Sequence, residues 1–274
     1  MINICFCANE GIYKGLTMAL LSAVESTKES IHFYILTADL ETMDPRYKPF
    51  PKKYADYLDC CIKKSNADSK VYLIDLSKEF LRDFKDSPNI KSSYTPYSLL
   101  RLYLDQIDEV PDKMLYLDSD IIVMKDISLL YSHELGDKMI GAVIDRYGRF
   151  FIGPRYVNAG VMLLNLKEIK KDGLFKKCRD YLKHKKKAFP DQDAINKYCH
   201  GKKLYLGHDY NEQGHLRATT IIRHYCNKPR IFPTIHAMVA KPWDIERIHD
   251  VYKTTAHDEL YRKAKSLWRD MEEL

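Results

Sequence analysis

The chain has seven cysteines (Cys5, Cys7, Cys60, Cys61, Cys178, Cys199, Cys226), an odd number, and no Cys-x-x-Cys pair among them. That argues against a zinc module or a disulfide framework and for a reducing compartment. Long apolar runs are also missing: none approaches the roughly 18 to 20 residues of a membrane span. Met1 leads straight into a short apolar stretch, without the basic region of a signal peptide. The expectation is a cytosolic protein. No internal repeat, linker or low-complexity tract breaks the 274 residues, which read as one large α/β domain with a small appendage. No aromatic stripe is interleaved with the lysines, so nucleic acid is not an expected partner.

What is present is ordinary in bulk and uneven in detail. Hydrophobic residues make up 45% and charged residues 30%, as in a globular domain. The net charge is +6, yet residues 167–187 alone hold nine Lys and Arg179 against Glu168, Asp172 and Asp180. The segment reads as a helix with a solvated basic face. The sharper alternative is peripheral contact with an anionic membrane surface or an acidic acceptor. Residues 244–274 carry more acids than bases, which suits a helix docked on the protein itself or on a partner.

Apolar segments at 2–8, 31–36, 71–74, 114–117, 140–144 and 160–165 alternate with helical patterns, among them Leu16, Leu20, Leu21 and Val24 on one face. The alternation predicts a mainly parallel sheet flanked by helices. Further helices are expected over about 46–64 and 96–107. Residues 201–243 lack clear periodicity. Near the end, Leu260, Ala264, Leu267 and Met271 form a helical stripe flanked by Tyr261 and Trp268. The expected division is a domain over 1–243 and a helical extension over 244–274.

Asp118 and Asp120, either side of Ser119, stand where the buried strand Met114-Leu-Tyr-Leu117 ends. Acids at such a point need a cation, a donor or a metal, and the carboxyl ends of strands are where open α/β sheets bind ligands. An Asp-x-Asp there suits a hard divalent cation shared with phosphate oxygens. Three readings compete: a turn cap, an Asp-nucleophile phosphohydrolase and a diphosphate anchor. Ile122 stands where the phosphohydrolases carry Thr or Val, and the motif is mid-chain, which disfavours the second.

Arg101, Asn158-Ala-Gly160, Asp191-Gln-Asp193 after Pro190, and Lys241-Pro-Trp243 follow in an order and spacing that resembles glycosyltransferase family 8. These are retaining galactosyl- and glucosyltransferases related to glycogenin and to bacterial lipopolysaccharide sugar transferases. The likeness runs from Ile4 to about Trp243. It implies a GT-A nucleotide-diphospho-sugar fold, a UDP-hexose donor, a glycan or glycoconjugate acceptor such as a cell-envelope polysaccharide, and manganese with magnesium as the alternative. It places the metal on Asp118, Asp120 and His236, with Ser119 in the same loop, and Lys241 on the diphosphate. Ala8 and Asn9 match the uridine-binding loop, and Arg101 the residue reaching the donor sugar and diphosphate. Asn158, Asp191 and Gln192 match residues around the donor sugar, with Gln192 beside the anomeric carbon in a front-face displacement.

Two positions depart from the family pattern. Asn9 replaces the usual first-loop Asp, and His236-Ala-Met-Val-Ala-Lys241 is a residue shorter than usual and lacks Gly. These departures leave a nucleotide-sugar-binding protein with little or no transferase activity as the alternative. A second His, in His224-Tyr-Cys226, lies nineteen residues before Trp243 and is set aside on that spacing. The oligomeric state is not legible.

Overall fold

The computed structural model describes residues 1–90, 95–230, 236–238 and 240–274, with 228–230 and 236–238 described by backbone alone. Its strands are β1 (Ile2–Cys7), β2 (Ile31–Thr37), β3 (Lys70–Asp75), β4 (Lys113–Leu117), β5 (Ile121–Val123), β6 (Ile140–Ile144), β7 (Val157–Asn165), β8 (Lys203–Leu206), β9 (Ile222–His224), β10 (Lys228–Arg230) and β11 (His236–Met238). Seven of them form one sheet in the order β3-β2-β1-β4-β7-β6-β8, all parallel except β7, which runs against both neighbours. The mixed, mainly parallel sheet expected from the alternation is what the chain forms.

Period-two alternation assigns each strand residue to one of two apolar layers. Ile4 and Phe6 of β1, with Leu115 and Leu117 of β4, pack on the layer that holds α1 (Tyr13–Ser26) and α2 (Lys52–Lys63). Cys5, Met114 and Tyr116 face the other way, into a layer with the 3-10 segment Pro96–Gln106. Eight of the eleven residues from Pro96 to Gln106 are buried, too many to share one helical stripe, and the expected helix forms as a tight 3-10 segment. The helix expected over 46–64 starts only at Lys52, because Pro49 bridges Asn9 and Pro51 holds an extended ψ of 133°.

Three short helices follow on this side and at the sheet end: α3 (Ser77–Phe84), α4 (Ser128–Tyr131) and α5 (Gly148–Phe151). The basic stretch becomes α6 (Leu166–Asp172) and α7 (Leu174–Leu182). Several of its cations are paired: Lys171 with Glu168, Lys176 with Asp180, and Lys177 with Asp172. Arg179 departs from the solvated face. It is 3% exposed and bound to Asp105 and the Leu102 carbonyl. Pro190 opens α8 (Pro190–Tyr198), where its missing N–H costs nothing.

The aperiodic 201–243 region supplies β8 to the main sheet and β9 to a small antiparallel pair with β5. At the end of the chain, α9 (Ile245–Tyr252) and α10 (Asp258–Glu272) pack on α1, with Met18, Ile122, Tyr225, Ile248, Ala264 and Trp268 in one cluster. Among the described residues, no helix is long and apolar enough to cross a membrane.

Candidate active site

Strand order turns back between β1 and β4, and that crevice is where open α/β sheets place ligands. The end of β4 and the start of the antiparallel β7 meet there. Asp118 N–H donates to the Gly160 carbonyl at 2.8 Å. The chain then turns through Ser119 and Asp120 into β5, whose partner β9 ends at His224. Two strand pairs thus deliver three ligating side chains to one point. Asp118, Asp120 and His224 present atoms that all lie within 4.8 Å of one another. His224 Nε2 stands 3.2 Å from Asp120 Oδ1 and 3.8 Å from Asp118 Oδ2.

His224 is the residue that spacing had set aside, so that reading is corrected. Counting residues back from Lys-Pro-Trp assumed a constant loop length. The β10–β11 pair lies between Cys226 and Lys241 in the sequence, and Lys241 Nζ still donates to the Tyr225 carbonyl at 3.0 Å. Lengthening such a loop costs little. His236 lies in β11, paired with Arg230. The side chain that was expected to complete the metal site lies outside the described residues.

A hydrogen-bond chain fixes which nitrogen of His224 faces the acids. The Asp145 carboxylate, at the start of the turn after β6, accepts from Asn158 Nδ2 at 3.0 Å. That points Asn158 Oδ1 at two donors, Gly160 N at 3.0 Å and Asn211 Nδ2 at 2.9 Å. Asn211 Oδ1 is then left for His224 Nδ1 at 3.1 Å. A carboxylate only accepts and a backbone N–H only donates, so Nδ1 carries the proton and Nε2 turns a lone pair toward Asp118 and Asp120. Gly160 makes this arrangement possible: a Cβ there would overlap the His224 ring and stand 2.6 Å from Asp118 Oδ2.

Two carboxylates and an imidazole nitrogen, all offering lone pairs to one point, form a donor set that fits a divalent cation, manganese better than magnesium because of the imidazole. Cations of the protein surround the same acids. Burial raises the Asp120 carboxyl while Lys241, 2.5 Å from Oδ2, pulls it the other way, and the balance lies far below the usual carboxylate range. Arg101, 3% exposed, donates from Nη2 to Asp118 Oδ1 at 2.9 Å and from Nη1 to the Ala159 carbonyl at 2.6 Å, and its Nε lies 3.3 Å from Asp191 Oδ2. Tyr116 lies under that guanidinium at 3.9 Å and donates its hydroxyl to Asp118 Oδ1 at 2.8 Å. Burial pushes the Asp191 carboxyl up, against the pull of Arg101.

The structure therefore brings Arg101, Asp118, Asp120, Asn158, Asp191, Gln192 and Lys241 together. Gln192 Oε1 accepts from Ala159 N at 2.9 Å, and its Nε2 donates to Asp145 Oδ2 at 3.3 Å. Ser119 is buried in the turn. Ala8 and Asn9 end β1 beside β4 without a hydrogen bond to the acidic pair among the described residues; Ala8 N donates to the Leu36 carbonyl. Sequence reasoning missed Asp145, Asn211 and His224. Asp145 had a usable signal, an acid just after an apolar strand, whereas Asn211 lies in the stretch without periodicity.

A match to glycosyl transferase family 8 covers residues 3–246. The chain belongs to this family. GlyA, a glycosyltransferase of Streptococcus pneumoniae serotype 4, is 30% identical over 211 residues, which are 76% of this chain and 27% of GlyA. The lipopolysaccharide 1,2-glucosyltransferase of Escherichia coli is 29% identical over 224 residues, 76% of this chain and 62% of that protein. The chain thus spans less than two thirds of either relative. In overall fold this family 8 chain resembles the galactosyltransferase LgtC. The crystal structure of an LgtC active-site mutant superposes with a TM-score of 0.71 at 20% identity, covering 97% of this chain and 96% of that one. LgtC in complex with donor and acceptor sugar analogues gives 0.68 at 21% identity, with the same coverage. The GT-A architecture expected from the motifs is the family 8 fold seen here.

Proposed function

We propose that the chain is a metal-dependent, retaining glycosyltransferase that moves glucose or galactose from a UDP-hexose to a glycan or glycoconjugate. The observation that carries this reading is the convergence of Asp118, Asp120 and His224 Nε2, with the imidazole tautomer set by Asn211. Family membership and the activities of its relatives support the substrate class. The catalytic unit is residues 1–243, and 244–274 form the extension that braces it.

Asp118, Asp120 and His224 would hold manganese, which supplies Lewis-acid stabilisation of the charge that grows on a departing diphosphate. Lys241 adds a second positive charge on the same side, released from Asp120 as diphosphate arrives. Arg101 is locked between Asp118 and Asp191 and keeps both carboxylates in place. Asp191, buried at the start of α8, and Asn158 bind hydroxyls of the donor sugar. Gln192 is pinned at both ends of its amide. In this reading that fixed dipole would lie beside the anomeric carbon, where a positioned oxygen stabilises developing positive charge without reorganisation.

A donor screen tests the reading: UDP released from UDP-glucose, UDP-galactose and UDP-N-acetylhexosamines, with and without manganese. Release should require manganese and disappear in Asp120→Asn. Absence of both release and binding with every donor sinks the proposal, whereas UDP-dependent thermal stabilisation without release selects a binding protein.

A further inference from the structure

Beside Asp145 the surface opens into a cleft of about 270 Å³ whose lining includes Arg146, Arg149, Phe150, His208, Glu212 and Arg217. Asn211 joins it to the metal group, because this residue both lines the cleft and holds His224. Three guanidiniums face one carboxylate here, and only one of them is neutralised: Arg217 Nε lies 3.3 Å from Glu212 Oε2. Arg146 and Arg149 have no carboxylate within 4.0 Å among the described residues; their guanidiniums lie over the rings of Tyr147 and Phe150, at 6.0 and 4.5 Å. Isolated surface arginines are commonplace. Here Arg146 and Arg149 from one segment and Arg217 from another line one concavity next to the reacting groups.

Arg146 is also placed rather than free. Its backbone N–H donates to Gln213 Oε1 at 2.9 Å, and its guanidinium rests against Gly214, where any Cβ would overlap it. Phe150 is 73% exposed at the rim, the flat apolar face on which a sugar ring stacks. Glu212 Oε2 is buried with the Arg217 guanidinium beside it, so this carboxylate serves Arg217 and leaves the charges of Arg146 and Arg149 to the cleft.

We infer that this cleft is the acceptor subsite and that it selects acceptor sugars carrying an anionic substituent, a phosphate or a carboxylate, through Arg146 and Arg149. Arginine forks match both groups. The inference rests on the transferase reading. In the reaction it implies, an acceptor hydroxyl oxygen bonds to the anomeric carbon as the bond from that carbon to the phosphate oxygen breaks. The electron pair leaves with UDP, and the hydroxyl proton passes to the departing phosphate.

The test compares methyl glucoside, methyl glucuronide and glucose 6-phosphate as acceptors for the full chain, with UDP release above the acceptor-free rate as readout. The anionic acceptors should exceed the neutral one by about tenfold or more in kcat/KM, the scale of one charge-assisted contact. In Arg146→Gln/Arg149→Gln the preference should collapse through KM. A neutral acceptor used as well as the charged ones, or a preference that survives the double variant, overturns the inference. So does a UDP Kd that weakens as much as the preference falls, since the arginines would then serve the donor. Direct titration of the protein with glucose 6-phosphate separates the two proposals: saturable binding lost in the double variant, without UDP release from any donor, upholds the anionic subsite and removes the transferase.

Discussion

Asn211→Leu removes the hydrogen-bond acceptor that holds His224 Nδ1–H while roughly keeping the side chain's volume. In the native site the Asp145–Asn158–Asn211 chain commits the imidazole to the Nδ1–H tautomer before any metal arrives. Without Asn211 the ring is free to place its proton on Nε2, 3.2 Å from Asp120 Oδ1, where it makes a good hydrogen bond. Metal binding must then return the proton to Nδ1 and bury it unpaired, at a cost of about 1–3 kcal/mol. Loss of an outer-shell partner of a ligating His typically weakens metal affinity about 10–100-fold. That corresponds to about 1.4–2.8 kcal/mol, so the two estimates agree. Manganese titration by calorimetry, with free Mn2+ followed by electron spin resonance, should show this weakening. Asn211→Ser, which leaves room for a bridging water, should lose less. A manganese Kd within twofold of wild type in a folded Asn211→Leu protein refutes the tautomer argument. Reduced melting temperature with unchanged Kd leaves Asn211 only a structural part.

Other expectations follow from the same geometry. His224→Ala should abolish manganese binding, whereas His236→Ala should leave it within a few-fold; the reverse outcome in the two titrations restores the sequence-based ligand. Gly160→Ala should displace the His224 ring and Asp118, lowering metal affinity at least tenfold with a smaller loss of thermal stability. His257, whose Nε2 pairs with the Tyr225 hydroxyl, has its pKa lowered by burial and by Arg223 to about 4. With an unfolded value near 6.5, the unfolded state binds more protons between the two. The stability His257 contributes is therefore full above about pH 6.5 and lost as pH falls toward 4, about 3 kcal/mol at most. Denaturant melts across that range should show the slope, and His257→Gln should flatten it.

The sheet and its flanking helices were legible because each strand's alternation is local. Ile4 and Phe6 against Cys5 already sort the two layers. The helix expected over 96–107 is present as a 3-10 segment, a distinction not legible in the sequence because burial on nearly every side leaves no period to read. The acidic pair, Arg101, the Asn-Ala-Gly start of β7 and the Asp-Gln start of α8 were also recognisable, since each is a short motif at the end of an element.

What the sequence determined by itself was the strand-end placement of Asp118 and Asp120 and the family to which their surroundings point. Tertiary structure alone decided that His224 stands beside them, that Asn211 and Asp145 set its tautomer, and that Arg146 and Arg149 border a cleft that Asn211 also lines. The physical reason is that a ligand set is defined by distance in space. A chain can lengthen between Cys226 and Lys241 at small entropic cost and still return Lys241 to Tyr225 and Asp120. Residue counting measures the path between two side chains, and only packing determines how close they come.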